Sequence, residues 1–256
     1  MAEDTTLRSP AVGDHVRRSG RRESAATSAN GSTARRTPVT QDSLRIVPAN
    51  EATWQDVQDV FDGADSRRCQ CQRFKVVGWI WRDSTWEQRT AMLRDQTACD
   101  IPLAAETGGL IAYVEDQPAG WVAVEPRTAY PKLRTLRVPW SGRQEDKDDP
   151  DVWAVTCFVV RKRYRGRGLT YPLARAAVDF ARERGARALE AYPMVTEPGK
   201  EITWGELHVG ARQVFEEAGF EEVSHPSVRR FVMRIEFGKA PASAEHEGSS
   251  MVAETR

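Results

Sequence analysis

The stretch from Val152 to Pro193 constrains this chain more than any other. It opens with nine residues, Val152-Trp-Ala-Val-Thr-Cys-Phe-Val-Val160, that are almost all apolar. A run of that length with no polar alternation fits a central strand covered on both faces. Arg163-Tyr-Arg-Gly-Arg-Gly168 follows at once. Leu173, Ala176, Ala177 and Phe180 then recur at helical spacing from Leu169 to about Arg184, and Gly185 supplies a stop. Pro172 falls in the first turn, where amides have no intrahelical partner to lose. Ala188-Leu-Glu-Ala-Tyr-Pro193 reads as the next strand. Strand, loop, helix and strand in that order require a parallel pair joined by a right-handed crossover.

The loop between them has the composition of an anion cradle. Gly166 and Gly168 allow close approach of backbone to ligand and accept positive φ. The first-turn amides of the helix and its dipole favour negative charge, and Arg163, Arg165 and Arg167 add charge-assisted donors. A pyrophosphate fits this description, and so does an ordinary tight turn with solvated arginines. The Gly-Lys-Ser/Thr of a nucleotide-triphosphate loop is absent, and Tyr171 stands near the third glycine of a dinucleotide fingerprint.

Around this block the chain reads as one mixed α/β unit. Leu44–Pro48 is an opening strand, and Thr53 caps a helix carrying Trp54, Val57, Val60 and Phe61. A second helix starts at Ser84-Thr85 with Gln88 in capping-box position and runs to about Ala98. Residues 109–115 and 119–125 form a hairpin about Asp116-Gln-Pro118. A short helix near 209–218 ends at Gly219, and strands follow at 221–224 and 229–237. Residues 1–42 and 238–256 hold few large apolar side chains and are expected to be disordered tails about a domain at 43–237.

Lys and Arg together number 37, as do Asp and Glu, so no net field draws the chain to nucleic acid or an anionic membrane. There is no signal peptide and no run of about 20 apolar residues, which points to a soluble, cytoplasmic protein with no membrane partner. The four cysteines are too few for a disulfide framework, and Cys69-Gln-Cys71 is too short and solitary for a metal site, so no metal is expected.

Val159-Val-Arg-Lys-Arg163-Tyr-Arg-Gly166-Arg-Gly168-Leu169 resembles motif A, Arg/Gln-x-x-Gly-x-Gly/Ala, of the Gcn5-related N-acetyltransferase (GNAT) superfamily. Ala211-Arg-Gln-Val-Phe215-Glu-Glu-Ala-Gly219-Phe220 resembles its later helix, and the element order over 43–237 is similar too. The resemblance implies a mostly antiparallel mixed sheet with helices on both faces, splayed between strands 152–160 and 188–194. It implies acetyl-CoA as co-substrate and acyl transfer to a primary amine, of a small molecule or a peptide, by direct attack in a ternary complex. The pyrophosphate would lie on the amides of Arg165, Gly166, Arg167, Gly168 and Leu169, with Arg163 and Thr170 nearby. The pantetheine arm would pair with the strand edge at Phe158 and Val160. An amide near Phe158 or Val159 would stabilise the oxyanion.

Many members carry a tyrosine, as general acid, where this chain has Phe215, a residue that would still line the cofactor. Tyr192, His208 or water could take that role. Glu190 and Tyr192 share one face of a strand and are candidates for proton transfer, with Glu125 as a further candidate base. An acyl-CoA-binding sensor without turnover is the rival reading, and homodimerisation stays open. Trp79, Trp81 and Trp86 pack a helix or wall an acceptor pocket. Cys69 and Cys71 are structural thiols or line that pocket. The acidic run 145–151 is a solvated loop, or a lure for a cationic amine if it borders the site.

Overall fold

The structure, a computed structural model, describes residues 37–196 and 202–238. The tails expected at 1–42 and 238–256 therefore lie mostly outside the described residues.

The helices begin where local chemistry starts them. Thr53 Oγ1 accepts from the Asp56 amide at 3.1 Å to open α1 (Trp54–Val60). Thr85 and Gln88 exchange both bonds of a capping box to open α4 (Trp86–Thr97). Between them lie α2 (Ala64–Cys69) and α3 (Gly78–Asp83). A further turn, α5 (Arg137–Trp140), lies just before the acidic run. The long helix, α6 (Thr170–Glu183), buries Leu173, Ala177, Phe180 and Ala181 on one stripe. Each large side chain so buried contributes about 1.5–3 kcal/mol. Short α7 (Trp204–Leu207) and α8 (Arg212–Glu217) close the helical complement of the described residues.

Seven strands form one sheet: β1 (Leu44–Pro48), β2 (Leu110–Val114), β3 (Gln117–Pro126), β4 (Val152–Val160), β5 (Ala188–Ala191), β6 (Glu221–Ser227) and β7 (Arg230–Glu236). Their order is β1-β2-β3-β4-β5-β7-β6, and every pairing is antiparallel except β4 with β5. The mixed, mostly antiparallel sheet expected from sequence is thus present. Alternation sorts the two faces. Leu110, Ala112, Val122, Val124, Val155 and Phe158 pack under α6 and α8. Ile111, Tyr113, Trp121, Ala123, Cys157 and Val159 pack with α1 and Leu93 of α4 on the other face.

Two details position the site. Pairing of β4 with β5 ends at Val155 and Ala191, although β4 continues to Val160, so the strands part there. Just past that point Thr156 is an extra residue in the ladder, because Ala123 registers with Cys157 and Val124 with Val155.

Two boundaries differ from the sequence reading. The β2–β3 turn is Glu115-Asp116, both at positive φ, so Gln117 and Pro118 belong to β3. At the N-terminal end, Val39 packs against the α6-side core and its amide donates to the Arg167 carbonyl at 3.1 Å. Residues 37–42 therefore belong to the domain and not to a tail.

Candidate functional site

The cradle is formed as its composition dictates. Gly166 and Gly168 lie at φ +73° and +78°, and no heavy atom lies within 4 Å of where a Cβ on Gly166 would sit. Among the described residues, the amides of Gly166 to Thr170 donate to no backbone or side-chain acceptor. These are the orphan donors of a helix start, gathered at its positive end. Leu169 is buried and anchors the turn, and Arg163 and Arg167 lie over the Tyr164 ring at 4.8 and 5.8 Å. This loop can hold a diphosphate.

The splay next to it is not open. Met194 donates its amide to the Gly210 carbonyl at 3.1 Å, and Arg212 donates to the Met194 carbonyl at 3.0 Å. The chain from His208 to Ala211 thereby lies between the parted strands. Its His208 carbonyl accepts from the Phe158 amide at 2.6 Å, and the Val160 carbonyl accepts from Arg165 Nε at 2.9 Å. The backbone groups expected to meet a pantetheine arm thus have protein partners. Val159 is registered on Trp121 of β3, so its side of the ladder belongs to the sheet. Gly210, at φ +88°, permits this insertion: a Cβ there would sit 2.7 Å from Phe215 Cε2 and 2.9 Å from Phe158 Cε2.

Phe215 is a core residue. It is fully buried between Phe158 and Phe220, with ring centroids 5.7 and 5.2 Å away. His208 stacks on Phe74 at 5.9 Å.

Glu190 and Tyr192 come together as their spacing predicts, with the Tyr192 hydroxyl donating to Glu190 Oε2 at 2.9 Å. Their surroundings correct their expected role. Glu190 is 0% exposed and pairs with Arg143, with Arg234 at 2.8 Å and with Arg127 at 3.2 Å. Burial alone would raise its carboxyl, but the Arg143 hydrogen bond and charge and the Arg127 charge outweigh burial and hold it below the ordinary range. Burial, followed by the Glu190 charge, pushes the Tyr192 hydroxyl well above its usual value. A carboxylate held ionised and a phenol held neutral, both enclosed, are poor proton-transfer groups. They act as an internal strut. Of the acidic run, Glu145 joins this strut, and Asp148 and Asp149 make separate pairs nearer the surface. Glu145 pairs with Arg143 and Arg234, each at 2.7 Å, Asp149 with Arg187 at 2.5 Å, and Asp148 with Arg134 at 2.7 Å.

A second interior polar group, only partly visible in sequence, lies behind the bulge. Glu125 pairs with Lys75 Nζ at 2.5 Å and lines a cavity of about 600 Å³ with Gln96, Thr107 and Trp153. Burial raises the Glu125 carboxyl despite the opposing Lys75 charge. The Tyr130 hydroxyl is directed toward Glu125 and Thr156 without a well-formed hydrogen bond to either. Cys71 and Cys157 face each other in the same buried layer, and all four thiols are free and buried. Gln70 and Cys71 both sit at positive φ, a strained pair no motif announced. Trp79 and Trp86 are exposed, and Arg89 lies over the Trp81 ring at 4.1 Å. None of the described helices is long and apolar enough to cross a membrane.

A splayed mixed sheet with an open anion cradle between its central strand and longest helix defines the class. Residues 74–199 match the model of the acetyltransferase (GNAT) family, the family whose motif the loop from Val159 to Leu169 resembles. No curated protein matches the sequence. Among solved structures, the chain is similar to a GCN5-related N-acetyltransferase from Kribbella flavida at 18% identity, covering 77% of this chain and 100% of that one, with TM-score 0.44. It is similar to a GNAT-family acetyltransferase from Streptococcus pneumoniae at 17%, covering 76% and 99%, with TM-score 0.44. It is also similar to yncA from Salmonella typhimurium, solved with its cofactor acetyl-CoA, at 14%, covering 80% and 99%, with TM-score 0.43.

Proposed function

We propose that the domain, residues 37–238, moves an acetyl group from acetyl-CoA to a primary amine by direct attack while both are bound. The observation that carries this reading is the run of unpartnered amides from Gly166 to Thr170 at the start of α6. They would hold the pyrophosphate, with Arg163 and Arg167 beside them. Acetyl-CoA supplies an acetyl group activated as a thioester. Phe158 and Val160 would receive its arm by exchanging their present partners, the His208 carbonyl and Arg165 Nε. The Phe158 amide, once released, would be a donor for the acyl oxygen.

Glu125 is the base this geometry favours. Burial raises its carboxyl, the direction that makes it a stronger base, and the Tyr130 hydroxyl is directed toward it. Glu125→Gln should lower thiol release across pH while leaving acetyl-CoA affinity in place.

A second reading, an acyl-CoA sensor without turnover, draws on two observations: Phe215 has no proton to give, and the His208 carbonyl closes the Phe158 amide. Thiol release with a panel of amines separates the two readings. The test of the cradle itself is Gly166→Asp, which puts a carboxylate where the pyrophosphate would approach. The variant should stay folded by circular dichroism and lose acetyl-CoA binding by calorimetry. A folded variant that binds normally would overturn the cradle assignment.

A further inference from the structure

Buried arginines in this protein are almost always matched to carboxylates. Arg127, Arg143 and Arg234 share Glu190, with Glu145 and Glu236 at the margin. Arg230 is different. Its Nη2 donates to the Tyr192 carbonyl at 3.0 Å, its Nε is buried with no partner, and no carboxylate pairs with it among the described residues. Burial lowers its affinity for a proton, and the neighbouring Arg73 charge lowers it further.

Arg73 opens onto a groove of about 430 Å³ between α2, α3 and α7, a volume that suits a small molecule. Arg68, Arg73, Arg82, Arg89, Trp81 and Gly205 line it, with Asp65 as the acid. Arg82 is held by Asp83 at 2.8 Å. Arg89 spends its donors on Ser84 Oγ and on the carbonyls of Arg68, Trp81 and Ser84. The guanidinium groups of Arg68 and Arg73 have no acceptor among the described residues. Among the described residues the groove therefore carries an excess of positive charge, in a chain whose net charge is zero.

One wall of the groove adjoins a residue that packs toward the parted strands. Phe74, next to Arg73, stacks on His208, whose carbonyl takes the Phe158 amide. Arg230 touches the Tyr192 carbonyl and pairs with Met194, where the chain leaves β5. Three acids of the run that could have drawn a cationic amine, Glu145, Asp148 and Asp149, are instead paired with Arg134, Arg143, Arg187 and Arg234.

We propose that this groove selects acceptor amines that carry an oxyanion, a carboxylate or phosphonate, with Arg68 and Arg73 on its wall as the recognition residues. The proposal rests on the acetyl-transfer reading above and names the substrate class for it. The amine would point to the Phe158 end, and the anion would pair with Arg73.

The experiment measures thiol release from acetyl-CoA by the full chain with matched amines: β-alanine, 2-aminoethylphosphonate, ethanolamine and putrescine. The anionic amines should be favoured in kcat/KM by at least tenfold over ethanolamine, and the preference should shrink at high salt. The carboxylate and phosphonate arms show which oxyanion fits better. Arg73→Ala should raise KM for the anionic amines at least tenfold with acetyl-CoA affinity retained, and Arg73→Glu should shift preference toward putrescine. Turnover that favours ethanolamine or putrescine in the parent, or that ignores Arg73→Glu, overturns the proposal and leaves acetyl transfer standing. If no amine is acetylated, acetyl transfer falls, and thermal shift with acetyl-CoA present then decides the groove. Stabilisation by 2-aminoethylphosphonate beyond ethanolamine, lost in Arg73→Glu, supports an oxyanion site, and equal shifts refute it.

Discussion

Replacing Glu190 by glutamine tests whether the carboxylate is a strut or a catalyst. The parent carboxylate is 0% exposed and neutralises guanidiniums from Arg127, Arg143 and Arg234. Glutamine keeps the shape and one acceptor oxygen but leaves those cations matched only by Glu145 and Glu236, which are half-exposed. Breaking a buried ion pair on one side costs about 3–5 kcal/mol. A domain of this size loses about 2–4 °C per kcal/mol, so the melting temperature at pH 7 should fall by about 6–20 °C.

The pH dependence adds a second signature. The folded carboxyl lies below its ordinary value near 4.5, so its stabilisation is complete above that value and is lost as pH falls through the folded one. The gap in melting temperature between parent and Glu190→Gln should therefore be full at pH 6–7 and narrow as pH drops below about 4.5. Differential scanning calorimetry across pH measures both effects. Thiol release assayed well below either melting temperature should show equal acetyl-CoA affinity and nearly equal turnover. A variant that melts within about 3 °C of the parent but loses turnover a hundredfold would refute the strut and restore Glu190 as a proton-transfer group.

Phe215→Tyr should lower stability by about 1–3 kcal/mol, because its hydroxyl enters a wall of Phe158, Phe220 and Gly210 with no acceptor shown there; a melting curve decides, and an unchanged midpoint would mean the wall yields. Gly210→Ala should destabilise by a similar amount through its φ of +88° and its 2.7 Å approach to Phe215, and chemical denaturation reads the change. Removing residues 1–36 should leave acetyl-CoA affinity unchanged by calorimetry. Removing 1–40 should weaken it, because Thr37 and Val39 bond to Arg167 of the cradle.

Much of the fold was readable because its signals are local. The capping box at Thr85, the stripe on α6 and the unbroken apolar run of β4 each announce an element within a dozen residues. What escaped depends on partners far along the chain. α2 and α3 are six residues each, too short to hold by propensity. Arg89 on α4 donates to the carbonyls of Arg68, Trp81 and Ser84, fastening the ends of both. The β2–β3 turn went astray for a different reason. Proline marked the loop, yet the reversal uses Glu115 and Asp116 at positive φ, and the proline is absorbed into β3 past a register shift at Ala112/Tyr113.

The site divides along the same line. A cradle is a property of consecutive residues, so the turn from Arg163 to Thr170, with Gly166 and Gly168 at positive φ, was legible in their order alone. A strand's free edge is not such a property. Phe158 and Val160 were placed correctly at the end of β4, but whether their backbone groups are open depends on what lies against them. That neighbour is contributed by His208 to Ala211, some 50 residues on, and is admitted because Gly210 has no side chain. Glu190 illustrates the converse. Strand period put it correctly beside Tyr192, but the arginines that turn a candidate base into a strut come from 127–143 and from β7. Acid–base roles are set by the charges that enclose a group, and in this chain every enclosing charge on Glu190 is more than 40 residues away. The same reasoning singles out Arg68 and Arg73: among the described residues, arginines matched by no carboxylate stand out only after the others have found theirs.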